Sequence, residues 1–156
     1  MIRCQRMTTE TMPDAYQLLQ KFLREDTHYL DSSSAYGDRG DEALQNSLRL
    51  FVHRPELGFV WLALDGAVPL AVCVISLAIS TSAGALVAKL DDVFVVSGRQ
   101  RSGVGTALLD GLKRELRDFG VRRIDTSVHF DNPEAKSFYT KHGFVPLHEE
   151  RLACSL

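Results

Sequence analysis

The residues best suited to chemistry lie in Gln100-Arg101-Ser102-Gly103-Val104-Gly105. A run of strand formers, Val93 to Val96, leads into a basic, Gly-containing turn from Gly98 to Gly105, and the turn opens directly into an amphipathic helix. In that helix Val104, Ala107, Leu108, Leu112, Leu116 and Phe119 recur at helical spacing, while Asp110, Lys113, Arg114 and Arg117 fall elsewhere. A strand that delivers a Gly turn to a helix start presents unpaired backbone N–H groups and the positive end of the helix dipole. That is an anion site, suited to phosphate. Gly103 and Gly105 let a ligand oxygen approach the backbone without a Cβ in the way. Two familiar phosphate motifs do not fit. A P-loop needs Lys and Ser/Thr where Val104 and Gly105 stand, and the dinucleotide pattern needs Gly where Leu108 stands. A plain surface turn with a Gly helix cap is the competing account of so short a motif.

The elements around the turn follow from periodicity and punctuation. A strand is expected from Ile2 to Met7, then a helix capped by Thr8 or Thr9, with Met12, Ala15, Leu18, Leu19 and Phe22 at its apolar positions and Pro13 in its first turn. Glu25 to Gly40, with its Ser run, glycines and scattered acids, reads as a loop with some helical character. A second helix runs from about Asp41 to His53, with Leu44, Leu48, Phe51 and Val52 inward. Next comes a meander: Phe59 to Leu64, a hairpin turn at Asp65-Gly66, Val68 to Ser80, a turn at Thr81 to Gly84, and Leu86 to Val96. Gly120 closes the long helix, and Arg123 to His129 alternates as a further strand. Asn132 caps a short helix with Pro133 at its first position and Gly143 at its end; Phe144-Val145 and Arg151 to Ser155 are expected as closing strands. The order is α/β, largely antiparallel in its first half, with one βαβ crossover around the Gly turn.

Composition sets the outer bounds. The chain has 156 residues, 45% hydrophobic and 24% charged, which suits one domain spanning 1-156 with a sizeable core. A net charge of −2 argues against a general polyanion binder, so no nucleic-acid partner is expected. Charge is nevertheless uneven. Glu25, Asp26, Asp31, Asp38, Asp41 and Glu42 crowd one stretch; Arg99, Arg101, Lys113, Arg114, Arg117, Arg122 and Arg123 crowd the other, around the turn. Cys4, Cys73 and Cys154 are widely spaced and form no CxxC pair, so they read as free thiols. The N-terminus lacks a signal-peptide pattern, and the most apolar run, Ala67 to Ile79, is too short for a bilayer and holds Pro69. A cytoplasmic protein with no membrane partner and no metal is expected.

Two blocks and the element order together resemble the GNAT superfamily of N-acetyltransferases over essentially the whole chain. Gln100 to Gly105 matches the superfamily's Gln/Arg-x-x-Gly-x-Gly/Ala pyrophosphate loop at every fixed position. Asn132-Pro-Glu-Ala135-Lys-Ser-Phe138-Tyr139-Thr-Lys-His-Gly143-Phe144 resembles its Asn-x-x-Ala-x-x-(Phe/Leu)-Tyr-x-x-x-Gly-Phe segment. Leu90-Asp-Asp-Val-Phe-Val95 further resembles a strand of the diamine and polyamine acetyltransferase-like branch, with Asp91 in place of the usual Glu, one methylene shorter. The resemblance implies a mixed, mostly antiparallel twisted sheet of about seven strands flanked by about four helices. It also implies acetyl-CoA as co-substrate, and homodimers are common in the family.

The same resemblance implies roles. Val93, Phe94 and Val95 would pair with the pantetheine amides, and Gln100, Arg101, Ser102, Gly103, Val104, Gly105 and Thr106 would cradle the pyrophosphate. Asn132 and Ala135 would lie along the CoA arm. Tyr139 would be the general acid that protonates the leaving thiolate. Asp91 or Asp92 would be the general base, directly or through water; strand alternation puts them on opposite faces, and motif position favours Asp91. The expected reaction is direct attack of a primary amine on the acetyl carbonyl. The acidic Glu25–Glu42 stretch suggests a small cationic acceptor such as a polyamine. A protein or peptide amine, and a non-catalytic acyl-CoA-binding module, are the alternatives. Plainer accounts exist for each residue: core packing for Tyr139 and Cys73, a helix cap for Asn132, solvated charge for the Asp pair. His129 and His142 read as satisfied surface groups.

Overall fold

A computed structural model describes all 156 residues. The strands are β1 (Ile2–Arg6), β2 (Gly58–Asp65), β3 (Val68–Ser80), β4 (Ala85–Val95) and β5 (Ile124–Thr126). The helices are α1 (Met12–Glu25), α2 (Thr27–Ser33), α3 (Gly40–His53), α4 (Val104–Asp118) and α5 (Pro133–Lys141). Strand order in the sheet is the order in the chain. The first three pairings are antiparallel, and β4 and β5 are parallel, joined by the α4 crossover.

Side-chain alternation divides the core between the two faces of the sheet. Val60, Leu62, Leu64 and Val72 face α1 and α3, where they meet Ala15, Leu18, Leu19, Leu44 and Leu48. Trp61, Ala71, Cys73, Ile75, Ala88 and Leu90 face the other way, against Leu108, Leu109, Leu112 and Leu116 of α4 and Tyr139 of α5. The indole N–H of Trp61 donates to the Leu108 carbonyl across 3.0 Å, which fixes α4 on the sheet and satisfies a buried donor. Gly111 permits that approach: a Cβ there would stand 3.2 Å from Cβ of Cys4.

Four expectations change. The sheet has five strands and not about seven, and there are five helices and not about four. Phe144-Val145 and Arg151 to Ser155 form no strands. Pro146 removes a ladder donor there, and the charged run His148 to Arg151 follows it. The tail is held through side chains: Phe144 meets the Tyr139 ring edge-on with centroids 5.2 Å apart, and Ser155 Oγ donates to the Tyr36 carbonyl across 3.5 Å. The strand expected over Arg123 to His129 shortens to Ile124–Thr126. Finally, Thr11 and not Thr8 or Thr9 occupies the cap position of α1. Thr8 and Thr11 instead close a turn on each other, with the Thr8 N–H donating to Thr11 Oγ1 at 2.8 Å.

Candidate active site

The sheet forks at Leu90. β4 and β5 pair only at Ala88↔Ile124, Lys89↔Asp125 and Leu90↔Thr126. The Thr126 hydroxyl then donates to the Leu90 carbonyl at 2.8 Å, closing the ladder at its last rung. From Asp91 to Val95 the β5-facing edge of β4 has no strand partner. Tyr139 of α5 packs in the same cluster as Leu90 and Val93. It helps line a small apolar void of about 10 Å³ with Leu90, Val93, Gly105 and Phe138.

At the fork β4 also bulges. Val74 pairs with Asp91 and Val72 with Phe94, so Asp92 and Val93 together oppose Cys73. Asp92 takes φ of +53°, uncommon for a residue with a Cβ. The bulge begins at the second of the two acids. Asp91 accepts an ion pair from Lys89 at 3.2 Å. Asp92 is pushed up to about 6, first by burial and then by the Asp91 charge; Lys89 and Arg151 oppose this, and Asp26 adds to it. The Asp91 charge therefore reaches Asp92 and adds to the effect of its burial.

The turn after β4 matches the geometry its sequence called for. Gly98, Arg101 and Gly103 have φ of +82°, +60° and +88°, and Gly103 occupies the cap position of α4. Left-handed residues turn successive N–H groups inward. From Gln100 through Thr106 no backbone N–H finds a protein acceptor; the first bond is made by Ala107, to the Gly103 carbonyl at 2.9 Å. Side chains brace the turn from outside. Gln100 Nε2 donates to the Val95 carbonyl at 3.2 Å, Ser102 Oγ donates to the Arg99 carbonyl, and Arg101 pairs with Glu134 of α5 at 3.3 Å. Thr106 Oγ1 lies 3.3 Å from Nε2 of His142.

Asn132 caps α5, its Oδ1 accepting the Ala135 N–H at 3.1 Å. The carboxamide N–H pair has no protein partner, and the cap fixes the start of the helix that carries Tyr139. Burial raises the Tyr139 phenol; the Cys73 thiol and Asp91 add to that, and Thr126 opposes it. The phenol is therefore protonated throughout the neutral range. Burial likewise raises Cys73, which excludes it as a thiolate. Val93 and Val95 pack towards α4, and Phe94 towards α1 and α3.

The acidic stretch is less free than its sequence suggests. Asp26 caps α2 by accepting the Tyr29 N–H at 2.8 Å. Asp38 accepts the Tyr29 hydroxyl at 2.7 Å and the Gly40 N–H at 2.6 Å, and Asp41 pairs with Arg24. Asp31 meets His129 at 2.6 Å. His129, set aside from sequence as a surface group, has a side chain only 12% exposed. No signal within either segment announces that pair, because its partners lie 98 positions apart. No cluster of three His, Cys, Asp or Glu side chains is placed to hold a metal ion. No helix is long and apolar enough to cross a membrane.

A forked, mixed sheet with an N–H-lined turn at a helix start defines an acyl-CoA N-acyltransferase architecture. The sequence profile of the acetyltransferase (GNAT) family matches residues 12–144, and the chain belongs to that family, whose enzymes use acetyl-CoA. Solved structures agree on the fold. An integron cassette protein from the mobile metagenome of Cole Harbour Salt Marsh superposes with TM-score 0.79 at 22% identity, covering 98% of this chain and 90% of that one. AAC(6')-Iy, in complex with the bisubstrate analogue CoA-S-monomethyl-acetylneamine, gives 0.76 at 16%, covering 99% of each. The aminoglycoside acetyltransferase meta-AAC0020, from an uncultured soil metagenomic sample and in complex with sisomicin, gives 0.70 at 17%, covering 98% and 93%. No curated protein matches the chain in sequence.

Proposed function

We propose that this chain, acting as a single catalytic domain, transfers the acetyl group of acetyl-CoA to a primary amine of a small cationic acceptor. The observation that carries the proposal is the unbroken series of unpartnered N–H groups from Gln100 through Thr106, next to the fork at Leu90. Those groups suit a pyrophosphate. The open β4 edge from Val93 to Val95 suits the amides of a pantetheine arm, with Asn132 and Ala135 flanking it.

Acetyl-CoA supplies an activated carbonyl bound to a thiolate leaving group. The acceptor nitrogen forms the new C–N bond as the C–S bond breaks. Asp92 takes the proton that the attacking ammonium must lose, with Asp91 as its electrostatic partner. Asp92 replaces Asp91 in the base role favoured by motif position, because Asp91 is held by Lys89 while Asp92 is the more enclosed of the two and has the raised pKa suited to accepting a proton near neutrality. Tyr139, kept protonated by burial, gives its proton to the departing sulfur and is restored by the second proton that the acylated nitrogen sheds.

Two acceptor classes fit a site holding Asp26, Asp91 and Asp92: polyamines, from the likeness of Leu90 to Val95 to that branch, and aminoglycosides, the ligands of the similarly folded enzymes above. The partnered state of Asp31, Asp38 and Asp41 weakens the case for polyamine attraction by the Glu25–Glu42 stretch as a whole. Free-thiol release from acetyl-CoA, measured with spermidine, sisomicin and a lysine-containing peptide, tests the proposal. Release with spermidine or sisomicin is expected. CoA binding without thiol release from any of the three would make the chain a binding module, and release with the peptide alone would make it a protein acetyltransferase.

A further inference from the structure

One face of α2 spans to the connection between β5 and α5. His28 and Asp31 are three residues apart and so neighbours on that face. Both meet His129: the rings of His28 and His129 lie 4.9 Å apart, and Nε2 of His129 stands 2.6 Å from Oδ2 of Asp31. The connection itself sets the tautomer. The Asp131 N–H donates to Nδ1 of His129 at 3.1 Å, which leaves the proton on Nε2 to be donated to the carboxylate. Both ring nitrogens are thereby used, and Phe130 stacks on the ring at 4.6 Å. The histidine side chain is 12% exposed and that of Asp31 67%. A fixed, enclosed ring facing a wet carboxylate makes a contact that opens from one side only, by Asp31 turning to water.

The two joined segments start at opposite sides of the fork. The β5–α5 connection leaves the sheet at Thr126, bonded to Leu90, and ends at Asn132, the cap of the helix bearing Tyr139. α2 begins beyond Asp26, where α1, which packs on β4, ends. We propose that the Asp31–His129 contact is a latch holding α2 across the acceptor approach, so that it limits the size of amine admitted to the cleft. The location of that approach rests on the acetyl-transfer proposal; the latch rests on the geometry.

His129→Asn separates the latch from its loop. The Asn carboxamide oxygen stands in for Nδ1 as acceptor of the Asp131 N–H, and nothing stands in for Nε2. Asp31→Ala removes the partner on α2, and Asp31→Asn keeps an acceptor oxygen. Amide hydrogen exchange over Thr27 to Ser33, and kcat/KM with putrescine and with sisomicin, are to be measured on the full chain. Exchange in α2 should quicken roughly threefold to tenfold in His129→Asn and in Asp31→Ala, and no further in the double variant. The sisomicin-to-putrescine ratio of kcat/KM should rise by a similar factor, Asp31→Asn should restore both, and acetyl-CoA Kd should stay constant. Unchanged α2 exchange in His129→Asn, or an unchanged ratio, would overturn the latch. If the unmodified chain released no thiol with any amine, the acetyl-transfer proposal would fall, and the latch would stand or fall on exchange alone.

Discussion

From Gln100 to Thr106 the protein presents backbone N–H groups without protein acceptors. From Thr27 to Ser33 and from Ser127 to Asp131 it offers side chains locked in pairs. The first region needs only left-handed residues at Arg101 and Gly103 and a helix start at Val104. It is local, and every residue of it lies within one short stretch. The second region exists only after folding brings Asp31 to His129 and Asp26 within the field of Asp92. Under the proposed function, donor recognition is a property of chain direction, and acceptor recognition is a property of tertiary contact. A substitution in the first region should act on CoA whatever the amine, and one in the second should act on the amine whatever the state of CoA.

The largest expected effect would break the donor half. Gly103→Glu should weaken CoA binding by about a hundredfold or more, or ~2.7 kcal/mol, because it sets a carboxylate against the phosphates. Gly103→Ala carries the same backbone strain at φ +88° without the charge and is the control. Isothermal titration showing equal losses for Glu and Ala would reduce the turn to a conformational element.

Next comes the carboxylate at the bulge. Asp92→Asn should lower kcat/KM at pH 8 by about a hundredfold, the low end for general acid–base catalysis, and remove an ascending limb near pH 6 from the profile, since only the ionised form accepts a proton. The stability sign is opposite. A carboxyl raised from 3.8 to about 6 on folding costs nothing below pH 4; its penalty grows as pH rises and is complete above the folded value. The Asn variant should therefore be more stable than the parent at pH 8, by up to about 3 kcal/mol, and show no advantage at pH 4. Melting curves at both pH values decide this, and lower stability at pH 8 would contradict the burial argument.

The smallest effect is expected at Tyr139. A thiol pKa near ~8.5 makes protonation of the leaving group helpful but not obligatory. Tyr139→Phe should lower kcat by about tenfold to a few hundredfold and leave acetyl-CoA Kd within about threefold. Full kcat would leave Tyr139 as a packing residue. Joint loss of stability and CoA affinity would tie it to the structure of the fork and not to catalysis.

What the sequence made legible follows the same division. The Gly turn, the meander, the Asn132 cap and the Gly143 stop are written in short-range signals, and all of them appear. The bulge is not written so. Leu90 to Val95 alternates well enough to suggest a plain strand, and only pairing with β3 reveals that Asp92 and Val93 share one partner. His129 escaped for a similar reason, since its environment is made by a helix far earlier in the chain. The closing strands failed in the other direction: Phe144-Val145 and Arg151 to Ser155 have strand-like composition, but Pro146 and a charged run intervene and β5 offers only three residues as a template.

The bulge has a consequence for how this strand tolerates changes of length. Leu90 and Val93 both pack towards α4 although they are an odd number of residues apart. The two halves of β4 are therefore out of step by one, and Asp92 is the residue that absorbs the offset. Losing a single residue there would restore an even ladder and leave Val93, Phe94 and Val95 on the faces they now occupy, shortening the reach to the turn by one residue. Losing two would turn all three over together, exchanging their faces and rotating the start of the N–H-lined turn with them. The position is a phase marker between two reading frames of the sheet, one set by the hairpin at Gly84 and the other by the helix at Val104.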